Sequence, residues 1–544
     1  MVAGSGSVVL LSGNIESRVL LDGVIDHCLR VNLRSAGVST VEGLTREGAG
    51  MTGLAAKTGA EHLETLRDGR SFFLNGEAVT DHVDHPAFRN SVRVGAALYD
   101  YAADPENVEK MTFASPSSGR RVSRAWQLPT SYEELVERRK AISEISRLTC
   151  GWVGRSPDHV ASALSGMVMS IDLFERHGRA RAAALLDYFT WARDNDVWCG
   201  YAIVPSPIDR LPPLHPGEPV NATIVDEDSE GITIKGSRQL ATGLTMAQEL
   251  LVAAVQPLKP GEEKVGFTAM VPLSAKGLKL ISRRSYELGT SEFDAPLSSR
   301  FDENDAVVYF DEVKIPWERV FVHNDVEVAK AQWFETPVMA YQNYPAQIRL
   351  GNKLVFLLGL AYRMAQANGT LKAPGTQEAL GQMAAEVNQV RSMVAAMEVN
   401  GVYHGEYFIP NPGIQYSAQV LSQQLYPAFI TRFRELAGGS VLARPSSHLD
   451  LSSPQTSELI DRTQASAAVS AVERVKLFNL AWDAIGSEFG SRHTQYEMFY
   501  AGPTFSSRMR NFAAFDWEEA GGTVDALLKT VANPTCFRPS PAAS

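Results

Sequence analysis

The period of the apolar residues changes twice along this chain, and those two changes restrict its fold more than any other feature. From about 56 to 200 the spacing is helical. Ser131-Tyr-Glu-Glu134 reads as a capping box, a hydroxyl accepting from the third helical amide while a carboxylate reaches back. Leu135, Ile142, Ile145 and Thr149 then fall on one stripe. From about 201 to 325 the period drops to two: residues 223–225 and 232–234 flank a polar turn and predict a hairpin. Segments 265–271, 278–281 and 306–310 add strands. From 326 to 544 the helical period returns over 353–366, 377–400, 416–436 and 465–486, enough for a four-helix bundle. The expected order is a helical domain over 56–200, a small β domain over 201–325 and a helical bundle with its tail over 326–544. Residues 1–55 hold no period and predict a loosely ordered extension, or a start placed upstream of a natural Met51.

Charge and cysteine usage remove several function classes. The formal net charge of −11 argues against a nucleic-acid partner, which needs cations to displace counterions from phosphate. The longest apolar run, 354–362, is nine residues against the roughly 20 of a spanning helix, so no membrane role is expected. Cys28, Cys150, Cys199 and Cys536 lie far apart with no C-x-x-C, which disfavours zinc and iron–sulfur sites and fits a reducing cytoplasm. A dinucleotide fingerprint and a P-loop are both missing.

The polar knots that remain each carry a plain structural reading. His82 and His85 have a spacing metals use, but a solvated loop is the stronger reading and no metal is expected. Gly154-Arg155-Ser156-Pro157-Asp158-His159 sits between apolar helices. Arg155 suits an anionic oxygen such as a phenolate, and His159 can give or take a proton; capping by Ser156 or Asp158 explains the same spacing better. Tyr201 to Arg210 combines a phenol, two prolines and an Asp/Arg pair, as an interdomain connector would. Gly486 to His493 reads as the end of a helix.

Taken together, segments from about Thr58 to Gly502 resemble the oxygenase component of the 4-hydroxyphenylacetate 3-monooxygenase family. The resemblance rests on His85-Pro-Ala-Phe-Arg-Asn90, Gly151-Trp-Val-Gly-Arg-Ser-Pro-Asp158, Pro207-Ile-Asp-Arg210, Pro296-Leu-Ser-Ser-Arg-Phe-Asp-Glu-Asn-Asp305, Ile315-Pro-Trp317 and Trp482-Asp-Ala-Ile-Gly-Ser-Glu-Phe-Gly490. It implies a mainly α protein with a central β-barrel, an acyl-CoA dehydrogenase-like fold, assembled as a homotetramer or homodimer. A separate NAD(P)H-dependent flavin reductase would supply diffusible FADH2. With O2 this gives a flavin C4a-hydroperoxide that passes one oxygen to a phenol-like substrate. Arg155, His159 and Tyr201 are the implied catalytic set. Flavin contacts fall on Tyr201, Ala202, Ile203, Pro207, Ile208, Asp209, Arg210, Thr242, Gly486, Ser487, Glu488 and Phe489. Substrate contacts fall on Arg155, Ser156, Pro157, Asp158, His159, Gln256 and Pro257, and Gly438-Gly439 matches the pair through which a neighbouring subunit nears the flavin.

Two departures stand out. The family carries Tyr where this chain has His159 and His where it has Tyr201, so the pair is exchanged. Around Gln256-Pro257 the small residues that receive a substrate carboxylate are replaced, which implies a different ring: a larger phenol, a tethered intermediate or an electron-rich heterocycle. Competing readings are an acyl-CoA dehydrogenase or dehydratase reaction on the same fold, a para-substituent-removing halo- or nitrophenol monooxygenase, and a flavin carrier without catalysis.

Overall fold

Ser131 starts the first long helix as its sequence demands, its hydroxyl accepting from the Glu134 amide at 3.3 Å. The reciprocal half of the expected box is displaced by one residue: the Glu134 carboxylate accepts from the Thr130 amide at 2.7 Å. In this computed structural model residues 54–211 and 214–531 are described, so the expected extension over 1–55 falls outside them except for its last two residues, as do Cys28 and Cys536. The first part holds α1 (Gly59–Leu66), the hairpin β1 (Phe72–Leu74) and β2 (Glu77–Val79), α2 (Arg89–Ala103), α3 (Tyr132–Leu148), α4 (Asp158–Val168) and α5 (Arg179–Asp194). Every residue of α4 is buried, so it is the core helix of this part and not an amphipathic surface one.

The middle of the chain contributes β3 (Cys199–Ala202), β4 (Thr223–Glu227), β5 (Gly231–Thr242), β6 (Glu249–Ala253), β7 (Thr268–Pro272), β8 (Leu278–Ser282), β9 (Asp305–Pro316) and β10 (Val320–Val322). The 223–234 hairpin forms with Ile224 opposite Ile234. A closed barrel does not form among the described residues. The strands make a six-stranded sheet, β2-β1-β8-β9-β5-β4, and a four-stranded sheet, β10-β7-β6-β3. Closure requires every edge to find a partner. Here the short β2 from the N-terminal hairpin ends one edge, and β3, paired in parallel with β6, forms no ladder with β5, the two sheets being joined there by the isolated Val204–Gln239 bridge just past β3. A period of two marks strands but does not distinguish a barrel from two facing sheets.

The C-terminal part packs α6 (Val338–Ala367), α7 (Pro374–Val399), α8 (Pro412–Ala437) and α9 (Ala471–Ile485) around Leu354, Leu357, Met383, Tyr426, Phe429, Phe433 and Phe478. α10 (Glu488–Phe499), α11 (Thr504–Ala514) and α12 (Trp517–Leu528) follow. The 30-residue α6 runs through Pro345 and is buried continuously from Val338 to Gly351, because that half lies on α4 rather than on solvent. This contact brings the N-terminal helices, the sheets and the bundle together at one junction. Among the described residues no helix is long and apolar enough to cross a membrane.

Candidate active site

The loop between α3 and α4 passes so close to the bundle that two of its residues have no room for a side chain. A Cβ on Gly151, whose φ is +76°, would lie 2.6 Å from the Lys353 Cβ, and one on Gly154 would lie 2.7 Å from the Tyr496 phenol oxygen. Between them and α4 stands Arg155. Its amide donates to Glu303 Oε1 at 2.6 Å and its carbonyl accepts from Trp198 Nε1 at 3.1 Å, so the segments leading into β9 and β3 hold its backbone. Its guanidinium donates to the Tyr496 phenol at 2.8 Å and the Tyr500 carbonyl at 3.4 Å, and lies 5.1 Å from the Tyr201 ring centroid. No carboxylate among the described residues pairs with that side chain, which is 8% exposed. Burial works against its charge, but Tyr201, Tyr496 and Glu303 more than offset this and raise its pKa.

His159 is the second residue of α4, with Nδ1 3.5 Å from Arg155 Nη1 and Nε2 3.0 Å from Gln342 Nε2. Its ring centroid is 5.1 Å from that of Tyr201. Burial, then Arg155 and Arg349, push its pKa well below the usual imidazole value, so the ring is neutral at pH 7. The expected three, Arg155, His159 and Tyr201, are therefore in mutual contact. Ser156 and Asp158 are bonded to each other at 2.5 Å, and Pro157 enters α4 without a side-chain cap, so the capping account of this knot does not hold. The loop after β6 carries Gln256 and Pro257; its Val255 and Leu258, like Tyr201 and Ile203, pack against the same buried cluster, and Gln256 Oε1 is buried without a hydrogen-bond partner among the described residues.

The expected flavin contacts divide into two groups. Ala202 is buried in β3, while Pro207, Ile208, Asp209 and Arg210 form a short 3-10 turn. The Gln239 amide donates to the Val204 carbonyl at 2.9 Å, which joins this stretch to β5 just before Thr242. Val204, Ile208, Leu211 and Leu240 are exposed there, and Leu240 holds φ at +59°, a strained value for a branched residue. A groove of about 700 Å³ lined by Ser206, Ile208, Gln239, Lys279 and Tyr309 runs alongside. Apolar faces beside hydroxyl and backbone groups fit a planar ring system with a polar edge, which is what an isoalloxazine presents. In the second group Ser487 caps α10, accepting from the Gly490 amide at 3.0 Å. Gly486 lies against the Trp482 ring, Phe489 is buried against Trp152, and Glu488 is exposed, 3.2 Å from Arg284. Among the described residues no hydrogen bond joins Pro207 or Ile208 to this second group.

The groups that connect the two were not anticipated from sequence. The Thr242 hydroxyl donates to Asp305 Oδ1 at 2.6 Å, and Arg492 pairs with Asp305 at 2.6 Å and Glu303 at 3.0 Å. Arg349 and Lys353 on α6 both meet Glu497 on α10, at 2.6 and 2.7 Å. One signal was available: Arg349 and Lys353, four apart, are the only charged residues between Val338 and Tyr362, and His493 and Glu497 repeat that spacing on α10. His82, by contrast, is buried on Phe72 and held neutral by burial, its pKa lowered to about 3. No cluster of three potential metal ligands exists among the described residues.

Sequence models of the N-terminal and C-terminal regions of 4-hydroxyphenylacetate 3-hydroxylase match residues 58–322 and 329–529. The chain belongs to this family. It is 35% identical to the 4-hydroxyphenylacetate 3-monooxygenase oxygenase component of Pseudomonas aeruginosa over 83% of this chain and 88% of that one. It is 36% identical to the pyoverdin chromophore biosynthetic protein PvcC of the same organism, over 84% and 92%. The crystal structure of the oxygenase component HpaB complexed with FAD and 4-hydroxyphenylacetate superposes with a TM-score of 0.82 at 29% identity, covering 87% of this chain and 98% of HpaB. The family likeness thus spans both groups of expected flavin contacts and the junction between them.

Proposed function

We infer that this chain is the oxygenase component of a two-component flavin-dependent aromatic monooxygenase. It takes reduced FAD from a separate NAD(P)H-dependent reductase and places one atom of O2 on a phenol-like ring. The observation that carries this reading is the buried Arg155 guanidinium, held by a phenol, a carbonyl and two aromatic faces but, among the described residues, by no carboxylate. That charge is held in place, with Glu303 nearby favouring it, yet its N–H groups meet no carboxylate among the described residues, and a phenolate oxygen would give them a direct charged acceptor. At about 4 Å and an effective dielectric of about 20, the pair is worth about 4 kcal/mol, enough to lower the pKa of a bound phenol by about 3 units. Ionisation enriches the ring in electrons.

When bound, reduced FAD with O2 supplies the electrophilic oxygen atom; the rest falls to the chain. Arg155 holds the ring oxygen. His159, neutral and backed by Gln342, orients that oxygen rather than storing its proton. Tyr201 brings a hydroxyl to the β3 side, and Ile203, Val255 and Leu258 form an apolar wall against water. Gln256, offering an amide where relatives receive a carboxylate, favours a substrate other than 4-hydroxyphenylacetate. We read 56–200, 201–325 and 326–544 as the domains that meet at this site. Self-association into a homodimer or homotetramer is supported by Phe505, Met509, Phe512, Trp517 and Leu527, each more than half exposed on the last two helices. A Cβ on Gly439 would meet open space in this chain, which leaves room for a neighbour's approach.

The deciding experiment supplies anaerobically reduced FAD and ¹⁸O2 with a panel of phenols, and follows label in the product by mass spectrometry. One labelled oxygen per product is expected, lost in Arg155→Met, with oxygen consumption uncoupled from product in His159→Ala and Tyr201→Phe. Absence of label across the panel, or unchanged coupling in both of the latter variants, overturns the reading.

A further inference from the structure

We propose that Tyr496 is a positioning residue that holds the Arg155 guanidinium open to a substrate phenolate without neutralising it. The inference rests on the function read above and adds a residue to it.

The Tyr496 oxygen accepts from Arg155 Nη1 at 2.8 Å and donates to the Gly154 carbonyl at 3.1 Å. One O–H thus joins the loop backbone to the head of the loop's own arginine, across from α10. Because its single proton is committed to Gly154, only lone pairs face Arg155, and the direction of that hydrogen bond is fixed. The close approach depends on residue 154 having no side chain, since a Cβ there would meet both Cζ and the oxygen of Tyr496 at 2.7 Å.

The charges around the ring explain why a phenol serves here. The guanidinium carbons of Arg155, Arg349 and Arg492 lie 5.0, 5.1 and 5.2 Å from the Tyr496 ring centroid, and Lys353 Nζ lies 6.0 Å away. Arg349 and Lys353 share Glu497, and Arg492 has Glu303 and Asp305. Among the described residues Arg155 is the one of these four cations whose side chain makes no ion pair with a carboxylate; Glu303 reaches only its amide. A carboxylate in place of Tyr496 would satisfy the same N–H and cancel the charge the substrate needs. The phenol satisfies the N–H and stays neutral, since burial raises its pKa to about 12.

The test uses 4-nitrophenol as a chromophoric probe bound to the full chain without flavin, its ionisation read by visible absorption between about pH 5 and 9. The wild-type protein lowers the pKa of the bound probe. In Tyr496→Phe and, independently, in Gly154→Ala, which displaces the ring, that pKa rises by about one unit, a tenfold loss of preference for the anion. KM for the phenol rises about tenfold in both, with kcat within about twofold. If the wild type lowers the probe pKa and both variants lower it equally, Tyr496 does not position Arg155 and the inference fails alone. If the wild type leaves the probe pKa unchanged, the phenolate site itself is refuted, and the proposed function with it.

Discussion

Replacing Lys353 by Met should stabilise this protein at pH 7, and the gain should vanish in alkali. Lys353 lies inside the bundle with a fully buried ammonium, 2.7 Å from Glu497 Oε1 and 4.7 Å from the Trp152 ring centroid. Burial lowers its pKa from 10.5 to about 8; Glu497 acts against that fall and Arg349 adds to it. A shift of that size makes the charged form about 3 kcal/mol less favourable in the native state than in the unfolded chain. Between about pH 8 and 10.5 the unfolded chain binds the proton and the native state has released it, so wild-type stability rises with pH across that window. Met keeps the stem length beside Gly151 and removes the ionisation. Glu497 keeps Arg349, which donates to both of its oxygens at 2.6 and 3.1 Å. The lost cation–π contact offsets roughly 1 kcal/mol, which leaves an expected gain of about 2 kcal/mol at pH 7. Urea unfolding of both proteins at pH 7 and pH 10 measures it from the midpoints. A loss above about 1 kcal/mol at pH 7, or a difference that does not change with pH, would show that Lys353 stabilises as a cation.

Three further outcomes follow from the same junction and its supports. Asp483→Ala removes the acceptor of the Leu297 and Ser298 amides, at 2.7 and 2.8 Å, and of the Ser298 hydroxyl. It should cost roughly 3 kcal/mol in urea unfolding, because buried N–H groups lose a charged partner. Glu303→Gln cannot accept from both the Arg155 amide and Arg492, so KM for the phenol should rise about tenfold, about 1.4 kcal/mol; an unchanged KM refutes the role of Glu303 in holding that loop. Glu287 is raised by burial to about 7, so the native state holds its proton longer than the unfolded chain. Stability should therefore fall as pH rises from about 4.5 to 7, and the slope in melting temperature should flatten in Glu287→Gln.

The sequence shows the elements more readily than their closure or their charge partners. Periodicity found the 223–234 hairpin and the long bundle helices because each is decided by residues near in the chain. It could not close or open a sheet, since closure depends on edges such as β2, which arrives from residues 77–79 to end a sheet built mainly from the middle of the chain. The arginine knot was visible as residue types. Its meaning was not, because the cap explanation failed only once Ser156 was seen bonded to Asp158, and because Glu303, Gln342 and Tyr496 come from 148, 183 and 341 residues away along the chain. Resemblance pointed to Arg155, His159 and Tyr201, which the fold brings together, whereas the residues that fix Arg155 had no motif of their own.

The exchange of imidazole and phenol that the resemblance implies for positions 159 and 201 is intelligible from burial. Position 159 is 4% exposed and faces Arg155 and Gln342. An imidazole there, desolvated and beside a guanidinium, loses its proton and behaves as a neutral donor and acceptor, as a phenol would at the same place. Position 201 lies at the end of a strand, half-buried, with its ring 5.1 Å from the Arg155 guanidinium carbon. A phenol ring there offers that cation an aromatic face, where an imidazole would bring a second group able to charge. The exchange therefore moves the one side chain that ordinarily titrates near neutrality into the place where it cannot, and leaves Arg155 as the only charge among the three residues proposed for catalysis. Ionisation of the substrate then depends on that guanidinium alone, and the rate of oxygen transfer should follow the pKa of the bound phenol with no separate histidine limb near pH 6.5.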